Sequence, residues 1–260
     1  MFGPIEPVLE AREQVVPGPL GAITLRIYRP SGDDRLPILI YFHGGGWVVG
    51  SLDSHDGVAR FLANHGGCLV VSVAYRLAPE FKFPAAVEDA WAATAWLHEH
   101  SGYIRGDADR IAVGGDSSGG NLAAVVALRA RDRAVPLSLQ LLVYPALDCV
   151  APRSPSDDTW WLKKYLRTEA DAMSPDASPL RAADLRGVAS ALVLSCGLDP
   201  LREQGEAYVR RLAEGGVGAE HIHYPDLIHG AYRMPGVLEG ARAMLVDSAA
   251  ALERRLKRQA

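Results

Sequence analysis

"VGGDSSGGN", residues 113–121, joins a short apolar run to a helical pattern that continues to Asp132. It contains the pattern G-x-S-x-G, with Ser117 between Gly115 and Gly119. Flanking glycines permit a turn sharp enough to hold the serine hydroxyl at its apex, at the positive end of the helix dipole. A phosphate-binding turn is the alternative, but the first strand–helix junction has no G-x-G-x-x-G and the loop has no lysine. The order strand, turn, helix therefore favours a nucleophilic serine.

Outward from this turn, apolar runs alternate with helical patterns. "GAITLRIY" (21–28) alternates polar and apolar residues and predicts a half-buried strand near a sheet edge. Continuous apolar runs, typical of strands covered on both faces, lie at 36–42, 68–74, 110–114, 139–144 and 191–196. Helical patterns lie at 83–100, 119–132, 200–216 and 237–258. The alternation predicts an α/β fold with a mostly parallel central sheet flanked by helices, as a single domain over residues 1–260.

One stretch breaks this alternation. Residues 150–182 are rich in proline, serine and aspartate, yet they include Trp160 and Trp161. A surface excursion is one interpretation, and a cap insertion over the site is the other, because large aromatic rings in an insertion usually cover something. A short lead, residues 1–17, precedes the first strand.

Composition excludes several classes of protein. The chain has a net charge of −4 without a long run of one sign, which argues against a nucleic-acid partner. We see no signal peptide at the N-terminus and no apolar segment long enough for a transmembrane helix, so no stable membrane association is expected. Three scattered cysteines, Cys68, Cys149 and Cys196, are typical of buried reduced thiols, and a cytoplasmic location is the default.

A serine nucleophile needs a base, and the base needs an acid that orients it. The histidines after Ser117 are His221, His223 and His229. His221 and His223 share one face of the strand-like run "AEHIHYP", where a metal pair is conceivable but packed or solvent-facing histidines are commoner. His229 lies in the loop "LIHGAY", beside a glycine, where a mobile base belongs.

The acid has two candidates, Asp148 and Asp199, which each close an apolar strand and would project at its carboxyl end. Asp199 also fits the N-cap of the helix that begins near Pro200. Asp226 lies only three residues from His229, too close to come from a separate strand. The order of residues along the chain does not choose between the first two.

Three consecutive glycines follow a buried strand in "YFHGGGWVVG", residues 41–50. If Ser117 attacks a carbonyl, the oxyanion needs preorganised donors, worth roughly 3 kcal/mol each. We expect these donors to be the backbone N–H groups of Gly44, Gly45 and Ser118, the residue after the nucleophile. His43 fits a structural role in orienting the loop, and Trp47 is a candidate for the wall of the substrate pocket.

Five motifs occur in an order and spacing that resemble the hormone-sensitive lipase-like (family IV) bacterial esterases of the α/β-hydrolase superfamily. They are "HGGGWVVGS" (43–51), "YRLAPEFKFPAA" (75–86), "GGDSSGGNLA" (114–123), "GLDPLREQGEAY" (197–208) and "IHGAY" (228–232). The resemblance implies Ser117 as nucleophile, His229 as base and Asp199 rather than Asp148 as acid. It also implies Gly44, Gly45 and Ser118 as oxyanion donors.

The chain departs from the family pattern in three places. Ser118 replaces the usual alanine, and "DPLREQG" replaces the usual DPLRDEG. The lead is shorter than the N-terminal cap helices of the family, so either the cap is reduced to 150–182 or the chain begins late. A thin cap leaves apolar surface that a homodimer would cover.

We therefore expect a serine carboxylesterase that acts on short- to medium-chain acyl esters through an acyl-enzyme. This mechanism needs no metal and no organic cofactor, and its partner is a small-molecule ester. An amide deacetylase or lactonase would use the same residues. A non-catalytic binding relative, similar to the plant gibberellin receptors that lost the histidine, is disfavoured because all three triad residues are present.

Overall fold

The computed structural model describes residues 3–150 and 160–257, which form one eight-stranded sheet in the order β1-β2-β4-β3-β5-β6-β7-β8. β1 and β2 form an antiparallel hairpin, β2 pairs antiparallel with β4, and every other neighbouring pair is parallel. The strands are β1 (Glu10–Gly18), β2 (Gly21–Arg29), β3 (Leu36–Phe42), β4 (Leu69–Ala74), β5 (Gly106–Asp116), β6 (Leu139–Val143), β7 (Ala191–Leu198) and β8 (Ala219–Ile228). The predicted mostly parallel α/β sheet is confirmed.

Helices cover both faces of this sheet. The helices are α1 (Asp56–Gly66), α2 (Ala85–His100), α3 (Ser118–Asp132), α4 (Trp160–Tyr165), α5 (Arg202–Glu214) and α6 (Glu239–Leu256). The buried residues of α1 and α6 share one apolar core with one face of the sheet, and those of α2, α3 and α5 share the other. Within the described ranges, no helix combines the length and apolar character that a membrane span requires. The three cysteines are buried, as expected.

Elements that the sequence analysis did not predict include β1 and α1. The lead contains β1, an edge strand of which only Val16 is buried, so its polar composition concealed it. A two-residue connection, Pro19 and Leu20, joins β1 to β2. Helix α1 contains glycines at both ends, and glycine has low helix propensity.

The parallel strands bring their carboxyl ends to one edge of the sheet, where sites of α/β proteins form. Ser117 follows β5, Asp199 follows β7 and His229 follows β8. The glycine loop follows β3, which pairs directly with β5. Of the expected cap insertion, residues 151–159 lie outside the described residues, and residues 160–182 contain α4 and two short 3₁₀ turns.

Candidate active site

Ser117 occupies a strained turn between β5 and α3. Its φ of 56° and ψ of −116° lie outside the regions that a side chain ordinarily allows. A Cβ at Gly119 would collide with the carbonyl oxygen of Phe42, and a Cβ at Gly115 would collide with the same oxygen. The two glycines of G-x-S-x-G are therefore required because the turn packs directly against the backbone at the end of β3.

Ser117, His229 and Asp199 form a continuous hydrogen-bonded chain. The Nε2 of His229 lies 2.9 Å from the Ser117 hydroxyl, and its Nδ1 lies 2.8 Å from Asp199 Oδ2. The other carboxylate oxygen of Asp199 accepts the Leu201 N–H at 2.7 Å. The Asp199 side chain is fully buried, whereas a third of the His229 side chain is exposed. With the Nδ1 proton donated to Asp199, the Nε2 lone pair faces the serine proton.

Tyr144 supports the His229 ring, and the sequence analysis did not identify it. Its ring centroid lies 4.7 Å from that of the imidazole. The residue follows β6 directly, with a φ of 35°, and its N–H donates to the Leu194 carbonyl at 2.7 Å. Positive φ at an aromatic residue is rare and is the signal that marks the position in the structure.

The second acid candidate is engaged elsewhere. Asp148 Oδ1 accepts hydrogen bonds from Arg181 Nε at 2.9 Å and from the Val150 N–H at 2.8 Å. Its carboxylate thus fastens the start and end of the stretch that interrupts the α/β alternation. The structure brings Asp199, and not Asp148, to His229.

His221 and His223 form a second serine–histidine cluster. Ser195 Oγ lies 2.8 Å from His221 Nε2 and 2.9 Å from His223 Nδ1. All three side chains lie on the paired strands β7 and β8, with Ser195 opposite His223. None of the three lines the cavity that contains Ser117 and His229.

In the glycine loop, one of the predicted oxyanion donors points away from the cavity. The Gly44 N–H donates to Asp116 Oδ1 at 3.0 Å, so it is directed into the protein and the prediction of Gly44 as an oxyanion donor is wrong. Gly45 and Gly46 line the cavity beside Ser117, with φ values of 132° and 62°. Within residues 3–150 and 160–257, neither of these two N–H groups has a protein acceptor.

Asp116 joins the glycine loop to the serine turn. Its buried carboxylate accepts hydrogen bonds from Tyr41 Oη at 2.8 Å and from Gly44, and it lies 3.1 Å from His55 Nε2. Burial alone would raise the pKa of Asp116, but the electrostatic effect of His55 and the hydrogen bonds from His55 and Tyr41 hold that pKa well below its usual range. An anion next to the nucleophile therefore fixes the loop.

His43 has the structural role that the sequence predicts. Its Nδ1 lies 2.9 Å from the Gly44 carbonyl, its ring stacks on Tyr75 at 4.4 Å, and the Tyr75 hydroxyl donates to the His43 carbonyl at 2.7 Å. Burial lowers the pKa of His43 to about 4, so the imidazole is neutral at pH 7.

A cavity of about 340 Å³ opens above Ser117 and His229. Trp47 lines it and is itself buried, because its ring stacks on Tyr165 of α4 at 4.1 Å. The lining is mostly apolar, with these residues: Gly45, Gly46, Trp47, Val49, Ser117, Ser118, Ala146, Trp160, Trp161, Pro200, Leu201, His229, Gly230 and Arg233. Trp160 and Trp161 come from the stretch expected to act as a cap.

Comparisons with known proteins find similar sequences that are named as hydrolases. Residues 39–233 match the family described as the alpha/beta hydrolase fold. The chain is 41% identical to the carboxylic ester hydrolase LipN of Mycobacterium tuberculosis, over 94% of this chain and 70% of that protein. It is 38% identical to an ethyl acetate hydrolase of Pseudomonas putida, over 90% of this chain and 79% of that protein.

Solved structures of esterases also superpose closely on this chain. A hyperthermophilic esterase from Pyrobaculum calidifontis superposes with a TM-score of 0.92 at 41% identity, over 96% of this chain and 84% of that one. A thermostable carboxylesterase cloned from a metagenomic library superposes with a TM-score of 0.94 at 37% identity, over 97% of this chain and 91% of that one.

Proposed function

Since this chain belongs to the α/β-hydrolase fold family, in its hormone-sensitive lipase-like group, we propose that it hydrolyses carboxylic esters with Ser117, His229 and Asp199 as its catalytic triad. It is a carboxylic ester hydrolase, as its relatives are. The observation that carries the assignment of residues is the hydrogen-bonded chain from Asp199 through His229 to the Ser117 hydroxyl.

The reaction proceeds in two halves. His229 Nε2 takes the Ser117 proton as Oγ attacks the ester carbonyl carbon, and the carbonyl electron pair moves onto its oxygen. When the tetrahedral intermediate collapses, the ester C–O bond breaks and His229 gives the proton to the departing alkoxide. Water then repeats these steps on the acyl-enzyme, and the acid and the serine are released. Asp199 stays ionised throughout and stabilises the imidazolium.

The oxyanion of each intermediate is bound by backbone N–H groups. We assign this role to Gly45, Gly46 and Ser118, and thereby replace Gly44 with Gly46. Gly45 and Gly46 line the cavity, and Ser118 is the first residue of α3, where N–H groups have no partner within the helix. Each donor contributes roughly 3 kcal/mol to lowering the barrier.

The cavity supports short- to medium-chain acyl groups as substrates. A volume of about 340 Å³ lies at the low end for small-molecule sites, and Trp47 together with Trp161 closes one side of it. We propose that the 150–182 stretch acts as a reduced cap, since α4 contributes both Trp160 and Trp161 to the lining. A cytoplasmic location and a homodimer remain predictions of the sequence.

The test is hydrolysis of p-nitrophenyl esters from acetate to palmitate by the wild type and four variants. We expect Ser117→Ala to lower kcat by about a million-fold. We expect Asp199→Asn to lower kcat by about ten-thousandfold, because the imidazole loses its orienting acceptor. Two matched controls, Ser195→Ala and Asp148→Asn, should keep wild-type kcat.

Three results would contradict the proposal. Activity that survives in Ser117→Ala would mean that the serine turn is not the nucleophile. A loss in Asp148→Asn, with Asp199→Asn active, would exchange the two acids. Absence of wild-type activity on every chain length would redirect the search to amides and lactones.

A further inference from the structure

One permanent charge lines the catalytic cavity within the described parts of the chain. It belongs to Arg233, and no aspartate or glutamate is among the described lining residues. The remaining wall is built of glycine, alanine, proline and large apolar side chains around the serine and histidine. Arg233 therefore places a permanent positive charge on the cavity wall.

Arg233 is held close to the catalytic histidine by its backbone. Gly230 turns the chain with a φ of 84°, and a 3₁₀ turn (Ala231–Arg233) follows at once. Ala231 and Tyr232 are completely buried, so they anchor this turn in the core beneath α6. The short connection from His229 places Arg233 on the wall of the same cavity.

Two largely buried arginines of the chain each have a carboxylate partner. Arg76 binds Asp89 at 2.7 Å, and Arg129 binds Asp176 at 2.7 Å. In residues 3–150 and 160–257, Arg233 has no ion pair and its side chain makes no hydrogen bond. Its charge contributes to the low pKa of Asp116, but that carboxylate is buried and already bound by Tyr41, Gly44 and His55. The guanidinium of Arg233 is thus available to a ligand in the cavity.

We propose that Arg233 binds a carboxylate on the substrate, so that this esterase prefers esters carrying a carboxylate to neutral esters of the same shape. The inference rests on the proposed function and adds the class of substrate to it. A guanidinium donates two parallel hydrogen bonds to a carboxylate, which is the strongest pairing available to an arginine at an apolar wall. Monoesters of dicarboxylic acids and O-acyl esters of hydroxy acids each combine an ester bond with a free carboxylate.

The test compares two matched pairs of esters. For a carboxylate on the acyl side, 4-nitrophenyl hydrogen glutarate is compared with 4-nitrophenyl pentanoate. For a carboxylate on the alcohol side, 4-acetoxybenzoate is compared with 4-methylphenyl acetate. The quantity measured is the ratio of kcat/KM, anionic over neutral, for the wild type, Arg233→Gln and Arg233→Lys. Arg210→Gln removes the same charge from an exposed position of α5 that does not line the cavity, and serves as the control.

We expect Arg233→Gln to lower this ratio by about tenfold for at least one pair, mainly through KM, since a charged hydrogen bond at a partly hydrated site is worth about that much. Arg233→Lys should retain part of the preference, and Arg210→Gln all of it. The preference should shrink in 1 M salt, where the Debye length is about 3 Å. The pair that responds identifies the side on which the carboxylate lies.

An unchanged ratio in Arg233→Gln for both pairs overturns the inference, including the case in which the variant loses activity on all esters equally. That case would mean that Arg233 only supports the buried charge of Asp116. If the wild type hydrolyses the neutral and the anionic esters of both pairs equally well, this inference alone is overturned and the proposed function stands. An enzyme inactive on all four esters overturns the proposed function and this inference with it.

Discussion

Replacing His43 with asparagine tests whether the loop that carries Gly45 and Gly46 depends on a neutral buried imidazole. His43 is only 4% exposed, and burial lowers its pKa from 6.5 to about 4. Between these two pH values the unfolded chain binds a proton that the folded chain does not. The free energy of unfolding therefore falls as the pH drops from 6.5 towards 4. Above pH 6.5 the contribution of the neutral His43 side chain to stability is fully present.

The size of the effect follows from the interval between the two pKa values. A difference of 6.5 minus about 4 corresponds to a loss of about 3 kcal/mol of unfolding free energy at or below pH 4. In His43→Asn the side-chain amide is able to donate to the Gly44 carbonyl, as Nδ1 does, but it does not titrate. The variant is thus expected to start less stable and to lose less on acidification.

The assay is urea unfolding of the wild type and His43→Asn between pH 4 and pH 8, followed by tryptophan fluorescence. We expect the difference in unfolding free energy to be constant above pH 6.5 and to shrink by about 3 kcal/mol by pH 4. Parallel curves over the whole range would refute the reasoning, because they would show that His43 takes up its proton equally in both states.

Two further predictions concern the serine turn and the cavity. Gly119→Ala should cost at least about 3 kcal/mol of stability and abolish esterase activity, because its Cβ would collide with the Phe42 carbonyl oxygen. The measurement is thermal unfolding, and the control is Gly102→Ala, whose added Cβ would lie in open space. A stable, active Gly119→Ala would contradict the packing. Trp161→Ala should move the chain-length optimum for p-nitrophenyl esters upwards, with about fourfold in kcat/KM for each newly buried methylene. Trp96→Ala, outside the cavity lining, should keep the wild-type profile, and an unchanged profile in Trp161→Ala would exclude that wall from substrate binding.

Much of the fold was predictable because its signals are local. Buried parallel strands read as continuous apolar runs, and the predicted runs agree with β3 to β7 within a few residues. The failures also have local causes. Edge strand β1 lacks a regular polar–apolar alternation and has one buried residue, Val16, and α1 carries glycines that obscure its helical pattern.

The sequence predicts those site residues that can be identified from their residue type and their position relative to the strands. Ser117 lies in a recognisable turn, and His229 is the histidine in a loop beyond the last strand. Asp199 and Asp148 both follow strands, so their order in the sequence does not show which one is the catalytic acid. Their hydrogen-bond partners in the structure distinguish them, because Asp199 contacts His229 and Asp148 contacts Arg181. The same limit explains the error at Gly44, because the acceptor of its N–H, Asp116, lies 72 residues further along the chain.

Three residues at the carboxyl edge of the sheet have a strained backbone. Trp47, Ser117 and Tyr144 have φ values of 59°, 56° and 35°, and each contacts the cavity or the His229 ring. Such conformations cost of order 1–3 kcal/mol each and persist only where the surroundings impose them. Here the surroundings include the buried Asp116 network, whose hydrogen bonds bind the glycine loop to the residue before Ser117. The charge of Asp116 thus helps to hold the donors and the nucleophile in register before any substrate arrives, which is the preorganisation that oxyanion stabilisation requires.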